Sequence, residues 1–281
     1  MRTERWLGSA LTTLTWVLVA LTLSPIGWML WASLKSGSEL SGGASEPGAA
    51  LRWRNYVEIW TQVDFGAFLL NSLVICGVAT LIATGCALCA AYALARLRFR
   101  GSDGVSVAIT LTQVVPGMLF FLPLYMLYRA LGERWGLPML DTRHGLVFLY
   151  VALFTPASIW IMRGFFVGIP RELEDAAVID GCSRFGALWR IVLPLCGPGI
   201  IATATFVFLL AWDELFFAWV LTSSTSVQPL PVGIRLFVSQ FHQRLDLLMA
   251  AGIVSTLPML LVFFAGQRWF IKGLTAGAVK G

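Results

Sequence analysis

Side chains able to do chemistry are few in this sequence, and they fall into three groups. The two histidines, His144 and His242, lie in different segments between apolar runs, each without ligand-like neighbours. A metal ion needs several converging donors, so both are expected to be solvated surface residues. The five cysteines are Cys76, Cys86, Cys89, Cys182 and Cys196. Cys86 and Cys89 form a CxxC, but inside an apolar run with no second pair and no nearby His; packing as small residues is expected. The carboxylates are the third group. Asp213 and Glu214 stand side by side in an apolar stretch, and Glu172, Glu174, Asp175 and Asp180 cluster in a charged segment. There is no GxxxxGK[ST] or GxGxxG loop and no GxSxG elbow, so neither nucleotide cradling nor nucleophilic catalysis is expected. The chain is expected to hold no metal, no cofactor and no catalytic residue of its own.

The elements that carry these residues are apolar and long. Of 281 residues, 58% are hydrophobic and 12% charged, and mean hydropathy is +0.79. A soluble domain carries about twice that charged fraction. Lipid is therefore the expected solvent. A span needs about 20 mostly apolar residues, and six segments qualify: 10–32, 66–95, 105–131, 145–167, 196–221 and 245–266. The fold class expected is all-α, a single polytopic membrane domain of six transmembrane helices. The first run is too long for a signal peptide and lacks a small-x-small cleavage site, so it is expected to be retained.

Net charge is +5, but no basic stripe tracks a phosphate backbone, which excludes a nucleic-acid partner. With both termini inside, the inner segments hold eleven Lys/Arg and the outer segments seven. The positive-inside rule thus places both termini in the cytoplasm. Trp53, Tyr56, Ile59 and Trp60 at helical spacing predict a short interfacial helix in the segment between the first two spans.

The segment 168–195 is unlike the other connections: long, ordered in pattern and rich in both charges. Pro170 suits a first helical turn. Glu172, Glu174 and Asp175 follow, where the macrodipole favours negative charge. Leu173, Ala176, Ala177 and Asp180 share one face, thin enough for another surface to approach. Gly181 is placed to end this helix, and Ser183 to cap a second one that shows Phe185, Leu188 and Trp189 on one side. A lipid-surface helix has a basic polar face; this one is acidic, which suits a protein groove.

Within the spans, ionisable residues are costly and mark polar pathways. Asp213 and Glu214 are the chief candidates, with Trp212 offering an apolar face to a solute. Adjacent helical residues differ by about 100° in direction, so at most one carboxylate is expected to point at a pathway, which one being open; the alternative is that both reach outer headgroup water. Gln113, beside Pro116 and Pro123, and Asn71 are further candidates.

The loop resembles the signature cytoplasmic loop of bacterial ABC-importer permeases, with Asp175-Ala176-Ala177, Asp180-Gly181 and Ile191-Val192-Leu193-Pro194 at the family's positions. The leading Glu of the family triplet is Asp175 here, with Glu174 beside it. Ala90 to Arg96, Phe99 and Gly101, Ser33-Leu34-Lys35, Asn71-Ser72, Asp141-Thr142 and the C-terminal stretch from Gly273 to Gly281 are similar to the maltose-type subunit with six spans.

The resemblance implies a type I importer permease in the bacterial inner membrane. Its coupling helix between spans 4 and 5, here Glu174, Asp175, Ala176, Ala177, Asp180, Gly181, Arg184, Leu193 and Pro194, would dock on an ATPase. It implies a homologous second permease subunit, two cytoplasmic ATPase subunits that hold ATP and Mg, an extracytoplasmic solute-binding protein, and surrounding membrane lipid. The implied solute is a sugar or related polyol. The tail 267–281 would reach toward the ATPases, and its Gly-rich composition is compatible with an extended chain. A glycerol-phosphate solute is the alternative, but would want paired cations, and only Arg129 and Arg163 stand near span ends. A self-sufficient secondary transporter would show two related halves, and no repeat is visible.

Overall fold

The computed structural model describes residues 2–40, 42, 51–97, 99–238 and 244–278, with side chains described from 8 to 269 within those ranges. Its regular elements are helices. Four are long and apolar enough to cross a membrane unbroken: Gly8–Ser33, Phe65–Arg96, Arg143–Gly168 and Leu245–Trp269. Two further segments are bent pairs: Ser102–Val114 with Gly117–Trp135 at 92°, and Arg184–Leu195 with Gly197–Trp212 at 71°. Counting each bent pair as one crossing gives up to six spans among the described residues, as expected in number; the fifth differs in bounds, its bent pair beginning at Arg184 inside the loop and ending at Trp212 rather than running over 196–221.

The first bend has a local cause, and the fifth span is also interrupted near its far end. Val115 precedes Pro116 and sits in the extended region at φ −81°, ψ 124°, because the proline ring excludes the helical conformation from its neighbour. At the end of the fifth span the helix Gly197–Trp212 stops, and a short helix, Phe216–Leu221, resumes after Asp213, Glu214 and Leu215. Apolar length alone reads 196–221 as one rod; the carboxyl of Glu214 restarts it.

The chain divides into two compact units. One unit contains residues 1–66 and 233–257. A short helix forms over Asn55–Gln62, where the aromatic spacing predicts one. Asn55 is fully buried and donates its amide to the carbonyls of Ser33 and Lys35 at 2.8 and 2.9 Å, while the hydroxyls of Tyr56 and Ser33 meet at 2.7 Å. Arg244 then bridges Glu58 at 3.1 Å and the buried Asp246 at 2.9 Å. From Leu11 to Trp28 the apolar side chains of the first span stand exposed, as suits a lipid-facing helix, while Ala32 near its end is buried.

The other unit contains 67–232 and 258–281. Its core sets the alanines Ala87, Ala91 and Ala95 of the second span against Met162 and Phe166 of the fourth and Val192 and Cys196. Small residues let the backbones approach, as membrane packing favours. Gly199 is one such approach: a Cβ there would lie 2.5 Å from Cγ of Phe165. Gly266 is another, closed against Thr205.

The N-terminal part of the second span holds the segment after the fifth. Asn71 donates to the carbonyls of Ser226 and Gln228 at 3.0 and 2.9 Å, and Ser72 accepts from the N–H of Leu230 at 2.7 Å. Asp141, at φ +53°, accepts from the N–H groups of Ser223 and Ser224 at 2.9 Å each and from the Ser224 hydroxyl. The short polar side chain of an Asp tolerates this left-handed backbone.

The C-terminal segment differs from expectation. The last helix runs from Leu245 to Ala278, so 267–278 is helical rather than extended. A helix already nucleated adds one hydrogen bond per residue, and two glycines do not stop it. Residues 279–281, like the Gly/Ser-rich 43–50 and His242, lie outside the described residues.

Candidate functional sites: a cavity between broken spans and a docking loop

The kink at Pro116 turns two arms of the third span toward the fourth and fifth, and a cavity of about 780 Å³ opens between them. Thr112 and Gln113 come from one arm, Phe120 and Pro123 from the other. Phe154 and Pro156 come from the fourth span, Phe206 and Glu214 from the fifth, and Phe216 and Phe217 from the short helix beyond the break. Phenylalanine faces thus surround a few polar groups, the usual make-up of a small-molecule site.

Glu214 is held firmly. One carboxylate oxygen accepts the N–H of Phe217 at 2.9 Å; the other accepts the N–H of Ala218 at 3.0 Å and the Tyr150 hydroxyl at 3.1 Å. These are the first free N–H groups of the resumed helix, so Glu214 caps it. A carboxylate has about four acceptor sites, and three are used here; one remains for a ligand hydroxyl. Gln113 is exposed, and its amide nitrogen makes a 3.5 Å contact with the Thr112 hydroxyl, too long to hold it strongly.

Of the five predicted pathway residues, Gln113 and Glu214 line this cavity. The other three are placed elsewhere. Trp212 is 5% exposed and stacked on Phe208 with ring centroids 5.4 Å apart, so its face is covered by protein. Asp213 is exposed but outside the lining; the helix ends at it, and the backbone phase changes before Glu214. Asn71 is fully buried, and its amide nitrogen is spent on the 226–228 carbonyls. Sequence reasoning missed the phenylalanines and Tyr150. The signal was Pro116 beside Gln113, because a broken span bares backbone and side chains that a straight one hides.

The loop folds as two helices. The first is Glu172–Ile179, two residues beyond Pro170. Gly181 ends it at φ +91°, a conformation L residues adopt at a cost of about 1–2 kcal/mol. The Ser183 hydroxyl caps the second helix, accepting the N–H of Gly186 at 3.0 Å. After Arg184–Ala187 that helix widens into a π turn, Leu188–Val192. Pro194 has no N–H for the carbonyl of Arg190, and the wider turn accommodates the loss.

The faces are sorted by contact. Asp175, Ala176 and Asp180 are exposed, with Leu173 and Ile179 beside them. Phe185 and Trp189 also stand exposed, in edge contact at 6.0 Å, whereas Leu188 packs inward on the core. Ala177 and Glu174, expected on the docking surface, are instead turned into the chain. Ala177 is 4% exposed. Glu174 forms an ion pair with Arg96 at 2.6 Å and accepts the Tyr92 hydroxyl at 3.1 Å. The i, i+3 spacing of Glu174 and Ala177 puts them on one inward side, where Arg96 and Tyr92 of the second span take Glu174.

Among the described residues no three His, Cys, Asp or Glu side chains converge on a metal position. Cys76 and Cys196 are buried while Cys86 and Cys89 face away from the packed interior.

Comparison with known proteins agrees with this architecture. Residues 83–276 match the family model described as the binding-protein-dependent transport system inner membrane component. The chain is 32% identical to the sulfoquinovosyl glycerol transport system permease protein of Agrobacterium fabrum, over 94% of this chain and 91% of that one. It is 34% identical to the trehalose transport system permease protein of Mycobacterium tuberculosis, over 94% and 95%. It is 36% identical to the diacetylchitobiose uptake system permease protein of Streptomyces coelicolor, over 79% and 78%. Its fold matches a chain of a bacterial ABC transporter involved in import of the polysaccharide alginate, with a TM-score of 0.80 at 21% identity, covering 96% and 98%. The chain belongs to the binding-protein-dependent permease family, and its fold is that of the type I importers.

Proposed function

We propose that this chain forms half of the translocation pathway of an ATP-driven importer for a neutral saccharide or polyol. The observation that carries the reading is the cavity at the broken third and fifth spans. Its phenylalanine faces suit sugar C–H surfaces, and Gln113, Thr112 and Glu214 suit hydroxyls. The one charged group in its lining is a carboxylate, which repels phosphate. Arg129 is paired with Glu133 at 2.7 Å, and Arg163 lies 5.5 Å from the Trp160 ring; neither lines the cavity. A phosphorylated solute is therefore the poorer fit.

The partners in this reading are a second permease, two ATPase subunits that bind ATP and Mg, and an extracytoplasmic binding protein. The exposed face of 168–195, with Asp175, Ala176, Asp180, Phe185 and Trp189, docks on an ATPase. Both termini lie on the cytoplasmic side. Relatives named for trehalose, diacetylchitobiose and sulfoquinovosyl glycerol transport support a carbohydrate cargo.

The test is uptake into vesicles carrying the assembled transporter, with trehalose-type disaccharides, polyols and glycerol phosphate offered in parallel. Gln113→Leu is expected to raise KM for the imported sugar by about tenfold, the loss of one hydrogen bond to the bound solute. Unchanged KM, or preferred uptake of the phosphate ester, would contradict the cavity assignment.

A further inference from the structure

The second span joins two polar fastenings. Near its N-terminal end Asn71 and Ser72 hold the backbone of residues 226–230. At its C-terminal end are four contacts to the start of the docking loop. Arg96 pairs with Glu174 at 2.6 Å and donates to the carbonyl of Ile169 at 2.7 Å. Tyr92 donates to Glu174 at 3.1 Å. Arg171 donates to the carbonyl of Ala95 at 2.9 Å. From Asn71 to Arg96 is about 38 Å of helix. Among the four unbroken spans this is the one without an internal proline, so it lacks a common cause of a kink.

The latch is built to be stiff. The side chains of Arg96 and Glu174 are 7% and 15% exposed, so little water competes for them. Each group also sits at a favourable helix end: Arg96 in the last turn of its helix, Glu174 in the first turn of its own. Removing one member leaves the other charge buried without its partner, which is far more disruptive than losing an exposed pair.

We propose that Glu174 is a positioning residue for transport rather than an ATPase contact. Through Arg96 and Tyr92 it locks the docking helix to the second span, which carries the loop's displacement as a rigid rod to the segment 226–230. Asp175 and Ala176 touch the ATPase; Glu174 passes the motion on. This rests on the importer reading above.

The experiment uses the whole transporter in proteoliposomes, with ATP hydrolysed and sugar imported measured together, and ATPase retention measured by affinity purification. Glu174→Gln keeps the shape and removes the charge. Its expected result is an ATPase retained at wild-type amount, hydrolysis that persists, and at least about fivefold more ATP spent per sugar imported. Tyr92→Phe is expected to give a smaller change of the same kind, and Arg96→Glu with Glu174→Arg to recover part of the coupling lost in either alone. Release of the ATPase by Glu174→Gln would show a direct contact and overturn the proposal, as would wild-type coupling in that variant. Failure of the wild-type chain to hold any ATPase would instead overturn the importer reading, and this inference with it.

Discussion

Asp141 shows how much one side chain can organise. Partial burial opposes its ionisation, but the Ser224 hydroxyl and the N–H groups of Ser224 and Ser223 outweigh this and hold its carboxyl below the ordinary value. A carboxyl with a lowered folded pKa stabilises the fold above its unfolded pKa of about 3.9 and loses that contribution as pH falls through the folded value. Thermal melts of the purified chain should therefore drop below about pH 4 in the wild type. Asp141→Asn should melt lower at pH 7 and lose less on acidification; parallel curves for the two proteins would remove Asp141 from this role. Gly199 makes the complementary point about space. A methyl there meets the root of the Phe165 side chain, which cannot swing away as a side-chain tip can. Gly199→Ala is expected to destabilise by about 1–3 kcal/mol in detergent denaturation.

At the scale of the element, the loop 168–195 was the most legible part of the sequence. Its Gly181 stop and Ser183 cap are backbone requirements, and residue type announces them. The assignment of side chains to faces was less legible. Glu174 and Asp175 are neighbours of the same charge type, and nothing in the sequence says which one the second span will claim. The fifth span hid its break because Asp213-Glu214 interrupts the apolar run with no proline or glycine beside it. Once Glu214 caps the following helix, the 100° phase relation between neighbours no longer sorts them, and Trp212 turns inward onto Phe208. Two expected outcomes belong here. Gly181→Val forces a β-branched residue into a left-handed conformation and should misplace the second loop helix. Uptake should fall by at least about tenfold while membrane insertion, checked by fractionation, survives. Ala176→Trp keeps the backbone and fills the thin exposed face; it should give the same loss by blocking the approach of a partner surface.

For the whole molecule, apolar length gave the six crossings because the hydrocarbon core imposes it, whatever the packing. Where the crossings bend, and hence where a cavity opens, depends on tertiary contacts that no single segment encodes. Pro116 marked one bend. The interruption at 213–215 appears only when Glu214 meets Tyr150 and the free N–H groups beyond it. A carbohydrate path in this account is made by broken helices with phenylalanine faces, while one unbroken, proline-free helix links the loop to the opposite end of the unit. In the proposed reading, energy from ATP would enter from partner subunits through the exposed side of the loop.

The most direct test of that account is affinity purification of the tagged chain from gently solubilised membranes of cells expressing its partners, followed by mass spectrometry. The account predicts that an ATPase subunit with a phosphate-binding loop and a second permease co-purify with the wild-type chain, and that Ala176→Trp loses the ATPase while keeping the permease. Recovery of the wild-type chain alone, with sugar uptake intact in vesicles containing nothing else, would contradict it.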